Sequence, residues 1–292
     1  MSGFTTILPS NVSQGQFHTL MLGMIAPRPI AFVSTVDSEG QPNLAPFSFF
    51  NAFGSNPPIL VFSPARRGRD NTIKHTLENV MATKECVVNV VSYQMVEQMS
   101  LASCEYPKGV DEFLKAGFSP VPSDLVRAPR VGESPASFEC KVLQVIETGD
   151  QGGAGNLVIC EVVALHIDNK MLDADGKLDY AKLDLVGRMG ADWYVRANQD
   201  SMFEVAKPNI KKGLGFDALP KHVRESHILS GNDLGRLANL DVAPTAEERE
   251  RIQFELYGKR LWTLAQTVEE RQVLGKQLIA EHRLFEAWAV LV

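Results

Sequence analysis

The sequence predicts a mainly β fold with peripheral helices, followed by a helical C-terminal extension. Runs of strand length, rich in Val, Ile and Phe and separated by turn residues, recur up to residue 167 and favour an antiparallel barrel. The composition changes after Pro208, and from Thr245 onward helical patterns replace strand patterns. We therefore expect two domains, residues 1–210 and residues 211–292.

The first predicted element is a hairpin. Residues 30–36 form one strand, Ser38, Glu39 and Gly40 form the turn, and residues 43–51 form the returning strand. An ideal returning strand alternates its side chains between two faces, so its polar residues can all meet one ligand only if a bulge or loop intervenes. Further strands are predicted at residues 59–63, 86–91, 137–146 and 157–167.

Helices are predicted between and after these strands. Ile73, Leu77, Val80 and Met81 have helical spacing, and shorter helices are expected at residues 93–102 and 110–116. In the extension, two helices begin at capping boxes, Thr245 with Glu248 and Thr267 with Glu270. Four large apolar residues of the extension should pack on the barrel or across a dimer: Trp262, Leu264, Phe285 and Trp288.

Composition and missing motifs exclude several classes of function. The chain has 292 residues and a net charge of -6, which disfavours a nucleic-acid partner. No basic leader or long apolar run is present, so we expect a cytoplasmic protein without a membrane partner. Four dispersed cysteines predict free thiols and no metal site: Cys86, Cys104, Cys140 and Cys160. Nucleotide-binding P-loops, Rossmann glycines and hydrolase motifs are missing from the sequence.

Two segments carry candidate ligand-binding residues. Residues 65–76, ARRGRDNTIKHT, offer Arg66, Arg67, Arg69 and Lys74 beside a helix N-terminus, which suits a phosphate. A solvated basic turn would have the same composition. The hairpin adds polar groups among aromatic residues, as a flat ligand with a polar edge requires: Ser34, Thr35, Asn43, Ser48 and Asn51.

Several separated motifs between residues 21 and 196 resemble one family. The hairpin contains RPIAFVST, NLAPFS and FN, and PKGVDEF, SPASFEC and DLVGRMGADWY follow in order. The chain resembles the flavin reductase-like family, the FMN-binding split barrels related to nitrilotriacetate monooxygenase component B and flavoredoxin. The resemblance does not extend to the last 80 or so residues.

The resemblance implies roles for individual residues. It makes Lys74 and Thr76 phosphate ligands, with His75 replacing the acidic residue of the family motif. It favours flavin contacts from Ser48, Phe50 and Asn51, with Ser34, Thr35 and Asn43 as supports. Further candidates for cofactor binding are Ser63, Arg66, Arg67 and Arg188. His166 is the candidate catalytic residue, as a nicotinamide-pocket donor or proton relay, and a structural histidine is the alternative.

The implied activity is that of an FMN-dependent NAD(P)H oxidoreductase, with FMN favoured over FAD. Hydride would pass from the nicotinamide to FMN and then to an acceptor or a partner monooxygenase. Two alternatives remain open: a flavoredoxin-like electron carrier served by a redox protein, and a flavoenzyme acting directly on a small organic substrate. The resemblance also implies a homodimer.

Overall fold

The computed structural model describes residues 3–208, 212–258 and 265–292. The chain divides into two compact units, Met1–Phe203 and Glu204–Val292. Among the described residues, no helix combines the length and the apolar character needed to cross a membrane.

The first unit is built around one large antiparallel sheet. Its seven strands lie in the spatial order β2-β1-β5-β8-β9-β4-β3, and two pairs of short strands, β6-β7 and β10-β11, accompany it. The strands are β1 (Ala31–Val36), β2 (Pro42–Phe47), β3 (Phe50–Ser55), β4 (Pro58–Phe62), β5 (Glu85–Asn89), β6 (Pro120–Val121), β7 (Arg130–Val131), β8 (Ala136–Glu147), β9 (Asn156–Ile167), β10 (Leu185–Arg188) and β11 (Tyr194–Ala197).

The order of the strands closes this sheet into a barrel. β2 and β3 lie at opposite edges of the sheet, yet only Ser48 and Phe49 separate them in the chain. Since three Cα-to-Cα steps span at most about 11 Å, the two edges must approach each other. The prediction of one returning strand over residues 43–51 was therefore wrong, because β2 pairs with β1 whereas β3 pairs with β4.

Five α-helices surround the sheet in the described part of the first unit: α1 (Gln14–Met24), α2 (His75–Thr83), α3 (Val96–Leu101), α4 (Glu112–Ala116) and α5 (Tyr180–Leu183). The predicted helix near residues 73–81 corresponds to α2, and Leu77 and Val80 are buried in the barrel core. Ile73 precedes the helix but packs against the same core, whereas Met81 is exposed, so three of the four apolar residues of that pattern contact the core.

The strand β1 separates two parts of the core. Phe32 packs with Leu44 and Phe113 on one side, whereas Ala31 and Val33 pack on the other with β4, β8 and β9. Every residue of β1 is buried. A strand with both faces covered is held firmly, and it supports the polar residues at the end of the neighbouring β2.

The second unit is helical and has its own apolar core. It contains α6 (Lys221–Arg224), α7 (Gly231–Ala238), α8 (Ala246–Gly258), α9 (Val268–Ala280) and α10 (Leu284–Leu291). Both predicted capping boxes are present, at Thr245 with Glu248 and at Thr267 with Glu270.

The large apolar residues of this unit have different environments. Trp288 is 4% exposed inside the unit's own core, so its burial does not require the barrel, while Phe285 remains 45% exposed. Trp262 and Leu264 lie outside the described residues. The prediction that these residues pack on the barrel or across a dimer did not consider the core that the helices form among themselves.

Candidate functional site

A cavity of about 500 Å³ lies beside the link between β2 and β3. One wall is apolar and comes from the end of β2, and the other is basic and follows β4. Its lining residues are Ala45, Pro46, Phe47, Ser48, Phe49, Ser63, Ala65, Arg66, Arg67, Gly68, Arg69, Lys74, Ser103 and Glu105. The cavity therefore brings together six of the residues predicted to bind a ligand, Ser48, Ser63, Arg66, Arg67, Arg69 and Lys74.

The basic wall is held by the turn between β8 and β9. The backbone N–H of Arg66 donates to the Ala154 carbonyl at 2.9 Å, and that of Gly153 donates to the Arg66 carbonyl at 3.0 Å. A side chain at Gly152 would meet the Gly68 backbone at 3.1 Å, so this turn needs a glycine to approach so closely. The Arg66 guanidinium donates to Asn71 within the same wall and so helps to fix it.

Three other cations of the wall converge on one carboxylate. Glu105 lies 3.3 Å from Arg67, 3.0 Å from Arg69 and 3.4 Å from Lys74, measured between charged atoms. Its hydrogen bond from Lys74 and the positive charges around it hold the pKa of Glu105 below its usual value. These side chains thus form a site with affinity for an anionic group, at which Glu105 is the bound carboxylate.

Ser63 follows β4 and lies at the cavity with a defined hydroxyl orientation. Its Oγ accepts a hydrogen bond from the backbone N–H of Asn156 at 3.0 Å. The Asn156 side chain donates to the Pro64 carbonyl at 2.8 Å and fixes the same bend. Because the Ser63 oxygen is used as an acceptor there, its O–H can donate to a ligand oxygen in the cavity.

Arg28 positions the apolar wall, although sequence reasoning assigned it no role. Its buried guanidinium donates to the carbonyls of Leu22, Ile25 and Met189, and its Nε donates to Ser48 Oγ at 3.3 Å. Burial, together with nearby Arg188, lowers the pKa of Arg28. Its place at the start of the RPIAFVST motif was the available signal, since a buried arginine needs several acceptors.

Four predicted site residues lie inside the protein and do not line the cavity. Asn43 donates to Thr76 Oγ1 at 2.9 Å, and this buried pair joins β2 to α2. Thr35 accepts a hydrogen bond from Asn79 of α2 at 3.0 Å. Ser34 donates to the Pro129 carbonyl. Their polar groups connect the barrel to its surrounding segments.

Three more predicted residues also lie away from the cavity lining. Phe50 packs against the barrel core, because β3 has crossed to the β4 edge, and Asn51 is exposed and accepts from the Ala52 N–H. Arg188 ends β10, where its guanidinium stacks 4.6 Å from the ring centre of Tyr194. Roles for these residues in flavin binding stay predictions.

His166 lies in a different cavity, near the end of β9. It is ten positions along β9 from Asn156, which lies beside Ser63, and this corresponds to about 30 Å of extended strand. Its Nε2 lies 2.6 Å from Oε1 of Glu139, a fully buried carboxylate. Glu139 also accepts backbone hydrogen bonds from Asp124, Leu125 and Val126. The histidine thus belongs to a network that fixes the segment around residue 125.

Asp124, Glu139 and His166 are close enough together to be considered as metal ligands. The four hydrogen bonds from protein donors already occupy both oxygens of Glu139. Asp124 is largely exposed, and its carboxylate is 4.0 Å from His166. We therefore interpret the cluster as structural.

Comparisons with known proteins agree with this architecture. Residues 23–182 match the model of the flavin reductase like domain. An uncharacterised protein of Aquifex aeolicus is 41% identical over 180 residues, 62% of this chain and 89% of that protein.

Two solved structures are similar over the whole of their own chains. Nitrilotriacetate monooxygenase component B from Bacillus cereus is 27% identical, with a TM-score of 0.65, over 70% of this chain and 100% of that one. The 2-nitrobenzoate 2-nitroreductase NbaA of Pseudomonas fluorescens is 28% identical, with a TM-score of 0.63, over 72% of this chain and 100% of that one. The predicted fold, a split β-barrel with peripheral helices and a helical extension, is confirmed, and the chain belongs to the flavin reductase-like family.

Proposed function

We propose that the protein is an FMN-dependent NAD(P)H oxidoreductase of the flavin reductase class. The observation that carries this proposal is the two-sided cavity, which has an apolar wall at the end of β2 and converging cations after β4. Its volume of about 500 Å³ lies within the range of small-molecule and cofactor sites. The family relationship supports a flavin as the ligand.

The residues at the cavity fit the chemical parts of FMN. Arg67, Arg69 and Lys74 would bind a terminal phosphate by charge-assisted hydrogen bonds. The Ser63 O–H would donate to the phosphate or to the ribityl chain. Pro46 and Phe49 would contact an apolar ring face. Convergence of the three cations on a single point favours the one phosphate of FMN over the longer diphosphate of FAD.

When bound, the flavin would supply the redox chemistry by accepting a hydride from NAD(P)H. The contribution of the protein would be to bind and orient the cofactor, which requires no nucleophilic side chain. Arg28 would act indirectly, because its hydrogen bond holds the Ser48 hydroxyl at the cavity. His166 stays a prediction as a catalytic residue.

The decisive experiment identifies the cofactor and then its reductant. FMN extracted from the purified protein, and bleaching of the bound flavin within seconds of anaerobic mixing with NADH or NADPH, would support the proposal. A protein that binds no flavin, either as purified or after addition of FMN, would refute it. Bleaching by a reducing protein and not by NAD(P)H would indicate the flavoredoxin-like carrier.

A second candidate is direct reduction of a small organic substrate. The chain is about as similar to a 2-nitrobenzoate 2-nitroreductase as it is to nitrilotriacetate monooxygenase component B, and this similarity favours the second candidate. Steady-state assays that compare free FMN with 2-nitrobenzoate as electron acceptors would separate the two. Turnover with the nitroarene but not with free flavin would support the second candidate.

We also propose a homodimer, which supplies reduced flavin to a partner monooxygenase. Apolar side chains are exposed on three strands of the barrel, at Phe53, Leu143, Ile146 and Leu165. Such surface is costly in water, and a second copy would cover it. Light scattering should give about twice the 32.2 kDa chain mass, and a flavin-loaded, fully active monomer would refute the dimer. The partner and the cytoplasmic location stay predictions.

A further inference from the structure

The cation cluster of the cavity already binds an anion that belongs to the protein. Glu105 contacts Arg67, Arg69 and Lys74 at 3.0 to 3.4 Å, and it shares the cavity lining with all three. A phosphate oxygen at this position could pair with the same cations, at the shorter distances of about 2.7 to 2.9 Å that are typical of charge-assisted hydrogen bonds. One carboxylate therefore occupies the position at which the three positive charges converge.

Glu105 lies in a connection that permits it to leave this position. It follows α3, which ends at Leu101, and precedes α4, which begins at Glu112. The carboxyl side chain is 41% exposed, and the ion pairs are its contacts with the cavity wall. α4 is anchored separately, since Glu112 accepts from the Leu44 N–H and Phe113 is buried in the core.

The carboxylate stays charged under physiological conditions. Lys74, Arg69 and Arg67 hold the pKa of Glu105 below its usual value, so the group is ionised at neutral pH. A phosphate monoester carries about -1.5 to -2 charges at pH 7 and has three acceptor oxygens. It can displace a single carboxylate from three cations, but the displacement reduces the net free energy of binding.

We propose that Glu105 competes with the phosphate of FMN for Arg67, Arg69 and Lys74, and so weakens flavin binding enough for release. This inference rests on the proposed function and adds a control of flavin retention to it. Riboflavin lacks the phosphate and does not need to displace Glu105. The competition is therefore specific to phosphorylated flavins.

The test compares Glu105→Gln with a matched variant, Glu78→Gln. Glu78 lies on α2 and pairs with Lys108 at 2.8 Å, so its replacement makes the same charge change outside the cavity lining. Dissociation constants for FMN and riboflavin come from quenching of flavin fluorescence. Release rates come from stopped-flow dilution, and thermal unfolding confirms that each variant is folded.

We expect Glu105→Gln to bind FMN about 3- to 30-fold more tightly and to release it more slowly, because several weak exposed ion pairs no longer oppose the phosphate. Riboflavin affinity should stay within about 2-fold, and Glu78→Gln should match the wild type. Glu105→Ala should reproduce the tighter binding, since it removes the same charge by a different replacement.

Unchanged or weaker FMN binding in both Glu105 variants would overturn the proposal, because Glu105 would then be irrelevant or would position the cations. Equal tightening for FMN and riboflavin would also overturn it. Failure of every variant and of the wild type to bind FMN would instead refute the proposed function. The two failures are therefore distinguishable.

Discussion

Two sets of polar side chains in the barrel differ in where their hydrogen bonds go. The interior set, which includes Asn43, Thr76 and Asn89, is buried and bonds to other parts of the protein. The cavity set, which includes Ser63 and Lys74, presents donors at the cavity lining. The difference teaches that a polar residue within a family motif, such as Asn43, can use its side chain in hydrogen bonds that hold the barrel together.

The largest loss of stability is expected from a substitution in the interior set. Asn89 donates to the Phe32 carbonyl and accepts from the Val131 N–H and Ser137 Oγ, at 2.8 to 3.0 Å. Asn89→Ala would leave these buried groups unpaired and should lower the free energy of unfolding by about 3 to 5 kcal/mol. Urea unfolding measures this loss.

The control for this substitution is Asn169→Ala, at an exposed position. It should change stability by less than about 0.5 kcal/mol. FMN affinity of folded Asn89→Ala should equal that of the wild type. A stable Asn89→Ala protein with weakened FMN binding would contradict the assignment of Asn89 to the interior set.

In the cavity set, Lys74→Ala should act on the ligand and not on the fold. Loss of a charge-assisted hydrogen bond costs about 1.5 to 3 kcal/mol, so FMN should bind roughly 10- to 150-fold more weakly. Lys108→Ala makes the same charge change at an exposed lysine paired with Glu78. An equal loss of FMN affinity in both variants would show a general charge effect and contradict a direct phosphate contact.

Thr76 tests the boundary between the two sets, since the family motif made it a phosphate ligand whereas the structure pairs it with Asn43. Thr76→Val keeps the shape but removes the acceptor of the Asn43 amide. We expect a loss of about 1 to 2 kcal/mol in the free energy of unfolding. FMN affinity, measured by fluorescence titration, should change less than about 3-fold. A tenfold weaker affinity with unchanged stability would place Thr76 in the cavity set.

The sequence alone predicted four central strands of the barrel but missed the break between β2 and β3 and the helix α1. The strands predicted at residues 59–63, 86–91, 137–146 and 157–167 correspond to β4, β5, β8 and β9, because their apolar runs are long and bounded by turns. The break at Ser48 and Phe49 was missed, since aromatic residues continue through it at Phe47, Phe49 and Phe50 and no glycine marks a turn. α1 was missed as well, because none of its residues is buried in this chain.

The cavity lining could be predicted where its cationic residues also lie close together in the sequence. Arg66, Arg67 and Lys74 all come shortly before the start of α2, and all line the cavity. Glu105 could not be foreseen, because about thirty residues separate it from Lys74 and only the fold brings them together. The direction of Asn43 depends on α2 packing against β2, which alternation alone does not reveal.

Glu139 is a charged member of the interior set, and its buried carboxylate pairs with His166. Burial opposes ionisation of Glu139, but hydrogen bonds from the Asp124 and Leu125 N–H groups and from His166 hold its pKa below the ordinary value of 4.5. A carboxyl group with a lowered pKa in the folded state stabilises the protein above its unfolded-state pKa. This stabilisation is lost as the pH falls through the folded-state pKa.

The smallest predicted effect is therefore a pH-dependent difference between the wild type and Glu139→Gln. At pH 7 the variant should be less stable, and below pH 4.5 the difference should narrow by about 1 kcal/mol, because Glu139 of the folded wild type then takes up its proton. Urea unfolding from pH 7 to pH 3 measures this, with Glu39→Gln at an exposed turn as the control. A stability difference that stays constant with pH would mean that the network binds the neutral carboxyl as well as the carboxylate.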